Sequence, residues 1–341
     1  MGFVDNAYFL WYSIYVVKRK NDFFVNGISV IVLQIISLLK INEVYHRMKI
    51  GFIGLGAIGY PIFRRIIERF PVDFYARKQD VVDKAIEDGG IVAESISALA
   101  EKCDTIFVFV NTFEQCKDCF NQIAEGAKKE VTVVIGSTVS PVEIEELCRK
   151  GKQLGISVVD APVTGGVKGA IEGTLTTMIS GSAKIYEEIR PVLDAYSKKI
   201  VYVDEKPGQA EVLKALVQLL VGINSVAMSE AMTLGVKAGL APEMIYDTIT
   251  ASAGTSRIFE NRGEKVMDRD FNKRGTINII NKDLTICSQL AFDKKAPLFL
   301  GAITKQMFQI AASENDPLED FNAVVKVYEN MAGVTIERKN K

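Results

Sequence analysis

The chain has 341 residues, 41 Lys+Arg against 42 Asp+Glu, a formal net charge of −1 and 48% hydrophobic residues. The length suits two domains with their own cores, the composition is that of a soluble folded protein, and balanced charge offers no global attraction to nucleic acid or an anionic membrane. There is one histidine, His46, which argues against His-based triads, His-rich zinc sites and His acid/base chemistry, so protons must be moved by another residue type.

Residues 1–47 stand apart in composition. Two apolar stretches, 6–17 and 23–39, flank the basic cluster Lys18-Arg19-Lys20. Four readings stay open for this apolar extension: a dispensable segment upstream of a start at Met48, a membrane anchor at the short end for a span, a targeting segment, or a segment packed on the fold. From Lys49 the pattern becomes strand, glycine turn, helix. A strand is expected over 49–54, a helix over 60–70 and a second strand over 72–75. Further β-branched, apolar runs follow at 105–110, 131–135, 156–159, 175–179 and 200–203, with helices such as 141–150 and 184–195 between them. Such alternation implies a largely parallel sheet with helices on both faces. After Pro207-Gly208 the period turns helical, with a long apolar helix over 211–238 and others near 242–251, 282–292 and 298–312. The expected architecture is therefore an α/β Rossmann-type dinucleotide-binding domain (48–207), then an all-α domain (208–341) joined to it by a long interdomain helix.

The odd, scattered cysteines Cys103, Cys116, Cys119, Cys148 and Cys287 suggest reduced thiols in a cytoplasmic setting. Cys116 and Cys119 form a C-x-x-C, but without a second pair or a thioredoxin-like context they read as structural, and no metal site is expected.

Gly54-Leu55-Gly56-Ala57-Ile58-Gly59 is a G-x-G-x-x-G directly after an expected strand and opening an expected helix. The first glycine allows the tight turn, the second lets backbone approach a pyrophosphate, and the third permits close helix–strand packing. The free N–H groups of the helix start face the phosphates. An NAD site usually ends its second strand with an acid that binds the ribose hydroxyls. Here that strand ends Phe74-Tyr75-Ala76-Arg77-Lys78, and Asp73 comes too early. Arg77 and Lys78 suit a 2′-phosphate, which favours NADP, with NAD as the alternative. Two pairs, Asn111-Thr112 and Ser137-Thr138, follow expected strands at the sheet's C-terminal edge, where ligands bind; taken alone, they serve equally as helix caps.

Several motifs together carry a resemblance. The glycine segment, the run from Asp160 through Ala161-Pro162-Val163-Thr164-Gly165-Gly166-Val167-Lys168-Gly169-Ala170, and its continuation Glu172-Gly173-Thr174-Leu175-Thr176 are similar to the signatures of the 3-hydroxyisobutyrate (β-hydroxyacid) dehydrogenase family. The resemblance covers the chain from Met48 onward, and the segment Ala253–Arg262 looks most like the L-threonate dehydrogenase branch. It implies a Thr164-Gly165-Gly166 loop that cradles a substrate carboxylate, and places Asn111, Thr112, Ser137 and Thr138 on the nicotinamide and ribose side. Gly208 to Lys214 resembles the family's G-x-G-x-x-x-K segment, whose lysine is the general acid/base. Burial of Lys214 in the apolar run 212–221 would lower its pKa towards neutrality. Lys282, before Asp283, resembles the family lysine that approaches cofactor and substrate.

Two departures stand out. Ala210 replaces the second glycine of the lysine segment. Val217, on the same helix face as Lys214, replaces a polar substrate contact, unless Gln218 supplies it. The resemblance implies an NAD(P)-dependent oxidoreductase of small 2- or 3-hydroxy acids, a four-carbon sugar acid among them. The alternatives are a reductase of small semialdehyde acids or an NADP-binding protein with weakened turnover. A homo-oligomer is expected, with no nucleic-acid partner, and a membrane partner only if residues 1–47 form an anchor.

Overall fold

The structure, a computed structural model, describes residues 48–338. The expectations for the 1–47 extension, with His46, lie outside the described residues.

Short apolar runs build the sheet, with β1 and β4 buried along their whole length. Strands β1 (Ile50–Ile53), β2 (Val72–Tyr75), β3 (Ile91–Val92), β4 (Thr105–Val108), β5 (Val131–Ile135) and β6 (Ile156–Asp160) lie parallel in the order β3-β2-β1-β4-β5-β6. That is the order of a dinucleotide-binding sheet, with its reversal between β1 and β4. Phe52, Phe63, Phe74 and Phe107 are fully buried around β1, each contributing about 1.5–3 kcal/mol by burial. The helices between the strands are α1 (Gly59–Ile67), α2 (Gln79–Glu87), α3 (Ile96–Lys102), α4 (Phe113–Gly126) and α5 (Pro141–Leu154). Capping boxes, Thr112 with Gln115 and Ser140 with Glu143, set the starts of α4 and α5 at the sheet's C-terminal edge.

Beyond β6 the sheet ceases to be uniformly parallel. The hairpin-like pair β7 (Val163–Thr164) and β8 (Leu175–Ser180) is antiparallel, with α6 (Gly166–Glu172) between its strands. β8 meets β6 antiparallel at Asp160 and Ser180 and runs parallel to β9 (Ser197–Asp204), with α7 (Ala183–Leu193) between them. The largely parallel expectation thus describes β1–β6, and the short β7 and α6 turn the chain back.

Gly208, at φ +85°, caps the 29-residue helix α8 (Gln209–Lys237). A Cβ there would lie 2.9 Å from the Pro141 carbonyl oxygen, so the start of α8 is held close to that of α5. The remaining helices are α9 (Pro242–Thr250), α10 (Arg257–Met267), α11 (Ile277–Asp293), α12 (Phe299–Glu314) and α13 (Val325–Ala332). By length and composition α8 would pass for a membrane span, but α10 to α13 pack around it. Two apolar clusters result, one around Leu284, Phe308 and Val324, the other around Met232, Phe259 and Val266.

Candidate active site

The glycine loop is shaped by close backbone contacts. Gly54 sits at φ +98°, and a Cβ there would overlap the Phe109 carbonyl. A Cβ on Gly59 would overlap the Gly54 carbonyl oxygen, so α1 packs directly on the turn. A Cβ on exposed Gly56, between them, would have nothing within 4 Å. Ile58 precedes α1 and provides no side-chain cap, leaving N–H groups of Leu55 to Gly59 and the positive helix end towards the open side. A dinucleotide fits this arrangement: two positions exclude side chains from protein, and the third leaves backbone free for an anion.

Arg77 and Lys78 extend from the end of β2, both exposed and without an ion pair among the described residues. Asp73 lies earlier in the strand, half-buried, and burial raises its carboxyl above the ordinary carboxylate value. At the neighbouring strand ends the polar pairs already have partners. The Thr112 hydroxyl accepts from the Gln115 N–H at 3.3 Å, and Gln115 Oε1 accepts from the Asn111 N–H at 2.9 Å. The buried Ser137 hydroxyl accepts from the Val110 N–H at 2.8 Å. Thr138 is half-buried, and its carbonyl accepts from Lys282 Nζ at 2.6 Å.

That last bond crosses from the sheet edge to α11 beside a cleft of about 440 Å³, lined in part by Thr112, Phe113, Thr138, Val139, Lys282 and Thr285. Lys282 Nζ also lies 2.8 Å from Asp283 Oδ1. Asp283 is 2% exposed, and its Oδ2 accepts from Gln218 Nε2 at 2.5 Å. Gln218 Oε1 in turn accepts from Lys214 Nζ at 2.9 Å. The buried chain Lys214–Gln218–Asp283 therefore ends beside a lysine that lines the cleft. Burial lowers the Lys214 ammonium's pKa from its ordinary value, against the attraction of Asp283 and Glu211. The Gln218 amide is engaged at both ends, by Lys214 and Asp283, while the half-buried Val217 has an apolar side chain with no hydrogen bond to offer.

The first turn of α8 is fixed from below by a carboxyl group. Asp160, at the end of β6, accepts from Ser180 Oγ at 2.7 Å, the Gly208 N–H at 3.0 Å and the Glu211 N–H at 3.3 Å. Ser180 Oγ also accepts from the N–H of buried Ala210 at 3.0 Å. From Asp160 the chain enters the expected carboxylate loop. Gly165 and Gly166 have φ of +129° and +66°. A Cβ on Gly165 would lie 2.9 Å from a Leu175 methyl carbon, whereas one on Gly166 would meet open space.

The structure thus brings Lys214, Gln218, Lys282 and Thr138 together. Thr164, Gly165, Gly166, Arg77 and Lys78 make no side-chain bond to that cluster among the described residues. Asp283, Asp160 and Glu211 were missing from the residues expected at the site. The available signals were the neighbour of Lys282, the first residue of the loop motif, and a carboxyl three positions before Lys214. The C-x-x-C thiols lie buried on α4, and burial pushes Cys116 up to about 12 and Cys119 up to about 11, consistent with neutral packing groups.

Two family models match in sequence. Residues 49–204 match the NAD binding domain of 6-phosphogluconate dehydrogenase, and residues 208–328 match the NAD-binding region of NADP-dependent 3-hydroxyisobutyrate dehydrogenase. The L-threonate dehydrogenase of Cupriavidus necator is 33% identical over 82% of this chain and 95% of its own length. The chain belongs to the 3-hydroxyisobutyrate dehydrogenase family. Another relative, 2-(hydroxymethyl)glutarate dehydrogenase of Eubacterium barkeri, is 33% identical over 85% of this chain and 97% of its own. The crystal structure of 3-hydroxyisobutyrate dehydrogenase from Salmonella typhimurium superposes with a TM-score of 0.77 at 30% identity, covering 82% of this chain and 99% of that one. The family is one of NAD(P)-linked oxidoreductases, and this chain carries its nucleotide-binding sheet followed by its helical domain.

Proposed function

We propose that the protein transfers hydride between a small 2- or 3-hydroxy acid and a nicotinamide cofactor, with Lys214 as general acid/base. The observation that carries this reading is the buried Lys214, tied through Gln218 and Asp283 to the wall of the cleft. Bound there, the nicotinamide supplies the hydride acceptor or donor. The backbone of Gly54 to Gly59 holds the pyrophosphate, while Asn111, Thr112, Ser137 and Thr138 border the nicotinamide and ribose. Lys282 approaches both cofactor and substrate. The Thr164 hydroxyl and the N–H groups of Gly165 and Gly166 hold the substrate carboxylate. Neutral Lys214 takes the hydroxyl proton during oxidation, and its ammonium returns the proton during reduction. Burial brings the lysine closer to neutrality, where both forms are accessible.

The cofactor is NADP in preference to NAD, because the second strand presents the unpaired Arg77 and Lys78 instead of a terminal acid. The substrate is a hydroxy acid of three to five carbons, with four-carbon sugar acids first in line. The working division of the chain is an extension over 1–47, a nucleotide-binding domain over 48–207 and a substrate domain over 208–341. The enzyme works in the cytoplasm as a homo-oligomer. Phe292 and Phe299, each 80% exposed, with Leu300 and Ile303 on α12, supply an apolar surface for a second copy, to be checked by sedimentation velocity.

Initial rates of NADP and NAD reduction across a panel of C3–C5 hydroxy acids test the reading. Turnover of at least one acid, faster with NADP at low cofactor, is expected. Tight NADP binding without turnover of any acid, in either direction, would overturn it.

A further inference from the structure

Glu211 lies one turn before Lys214 on the same face of α8 and is 1% exposed. Neither of its carboxyl oxygens has a hydrogen-bond partner of good geometry. An orphaned buried carboxyl is costly to keep unless its environment gives it a task. The groups facing it come from every element around it. They are Asp160 from β6, the backbone N–H of Val139 after β5, Cys116 from α4, Lys282 from α11 and Lys214 from its own helix. Asp160 accepts three hydrogen bonds, which favour its charged form against the burial that raises its pKa. Lys214 is faced by Asp283, Glu211 and Lys282. Lys282 is fixed by Thr138 and Asp283, which leaves Glu211 without an ion pair in this cluster.

We infer that Glu211 is a positioning residue that sets the charge state of Lys214 from one helical turn away. This rests on the general acid/base reading of Lys214. Burial, and then the neighbouring Asp160, hold the Glu211 carboxyl well above the ordinary carboxylate range, which favours its protonated form. As pH rises through that raised range Glu211 ionises, and its charge retains the proton on Lys214. The pair thereby delays formation of the neutral lysine that oxidation requires and prolongs the ammonium that reduction requires. The two carboxyls also differ in role. Asp160 fixes the backbone at the start of α8, whereas Glu211 makes no such bond and acts through charge.

The test is an NMR titration of apo enzyme carrying [13Cε]lysine, with the Lys214 resonance assigned by its loss in Lys214→Met. In the wild type Lys214 is expected to show two inflections, its own and that of Glu211 sensed through space. In Glu211→Gln, which keeps shape but not charge, one inflection remains, with its midpoint lower by about half a pH unit or more. The acid limb of kcat/KM for oxidation should move down by the same amount, with cofactor Kd unchanged. A single wild-type inflection overturns the inference, as does a superimposable Lys214 titration in Glu211→Gln. If Glu211→Gln fails to fold, Asp283→Asn assigns the second inflection: its persistence there supports Glu211, and its loss overturns the inference. Failure of the underlying reading looks different: Lys214→Ala would then turn over normally, whatever the coupling between the two side chains.

Discussion

At the glycine loop the proposed binding groups are backbone N–H groups, in a turn shaped by close packing of Gly54 and Gly59 against neighbouring carbonyls. At the proposed proton-transfer site they are side chains, Lys214, Gln218 and Asp283, the last two 65 positions apart in sequence. The first region is local: one strand, one turn and one helix determine it. The second exists only because α8 and α11 pack together, and its chemistry depends on exclusion of water. The cofactor loop should therefore respond to added volume, and the lysine site to altered charge.

The largest effect belongs to the lysine. Lys214→Ala should lower kcat by about 10²–10⁴, the range of general acid/base catalysis, with cofactor Kd within about twofold of wild type. Equal losses in kcat and cofactor affinity would mean that the two regions are not separable.

Two glycine substitutions test the other side of the contrast. Gly59→Ala forces a methyl into the Gly54 carbonyl and should destabilise the protein by about 1–3 kcal/mol, read as a fall in the denaturation midpoint. Gly56→Ala meets no protein atom within 4 Å, so its midpoint should hold while cofactor affinity falls several-fold. If Gly56→Ala instead weakened stability and spared binding, the open face of the loop would not be the phosphate site.

Asp283→Asn retains an acceptor for Gln218 Nε2 and removes a charge that favours the Lys214 ammonium. Lys214 should then lose its proton at lower pH. The acid limb of the oxidation profile moves down, and reduction at neutral pH falls by about tenfold. An unmoved profile would separate Asp283 from the lysine. Smallest is Arg77→Ala, an exposed cation, which should raise KM for NADP by about tenfold or less with little change for NAD. Equal changes for both cofactors would remove the proposed preference.

Sequence legibility follows the same division. The G-x-G-x-x-G motif and the strand around it are local and map directly onto β1 and α1, and the helical change after Pro207 coincides with the Gly208 cap of α8. The two-residue strands β3 and β7 were not anticipated because so short a run carries no periodicity of its own. Helix α10 was missed for a related reason. Its charged Glu260, Arg262, Glu264 and Lys265 interrupt an apolar stripe of only Phe259, Val266 and Met267 around Gly263. At the site, Val217 leaves an apolar side chain where a polar one was expected, and the fold ties the amide of Gln218, the next residue, to Lys214 and Asp283. In sequence, Glu211 is one more carboxyl in a first helical turn, where the helix dipole favours acids. Its burial arises only where β6, α4 and α11 converge on α8.

The proposed mechanism rests on one buried side chain, Lys214, as the group that moves the proton. Chemical rescue of Lys214→Ala tests it most directly: hydroxy-acid-dependent NADP reduction is measured with added methylamine, ethylamine and weaker amine bases. A low basal rate is expected, restored in proportion to amine concentration and graded by amine basicity, with cofactor affinity constant throughout. A Lys214→Ala enzyme that turns over at the wild-type rate without amine would contradict it.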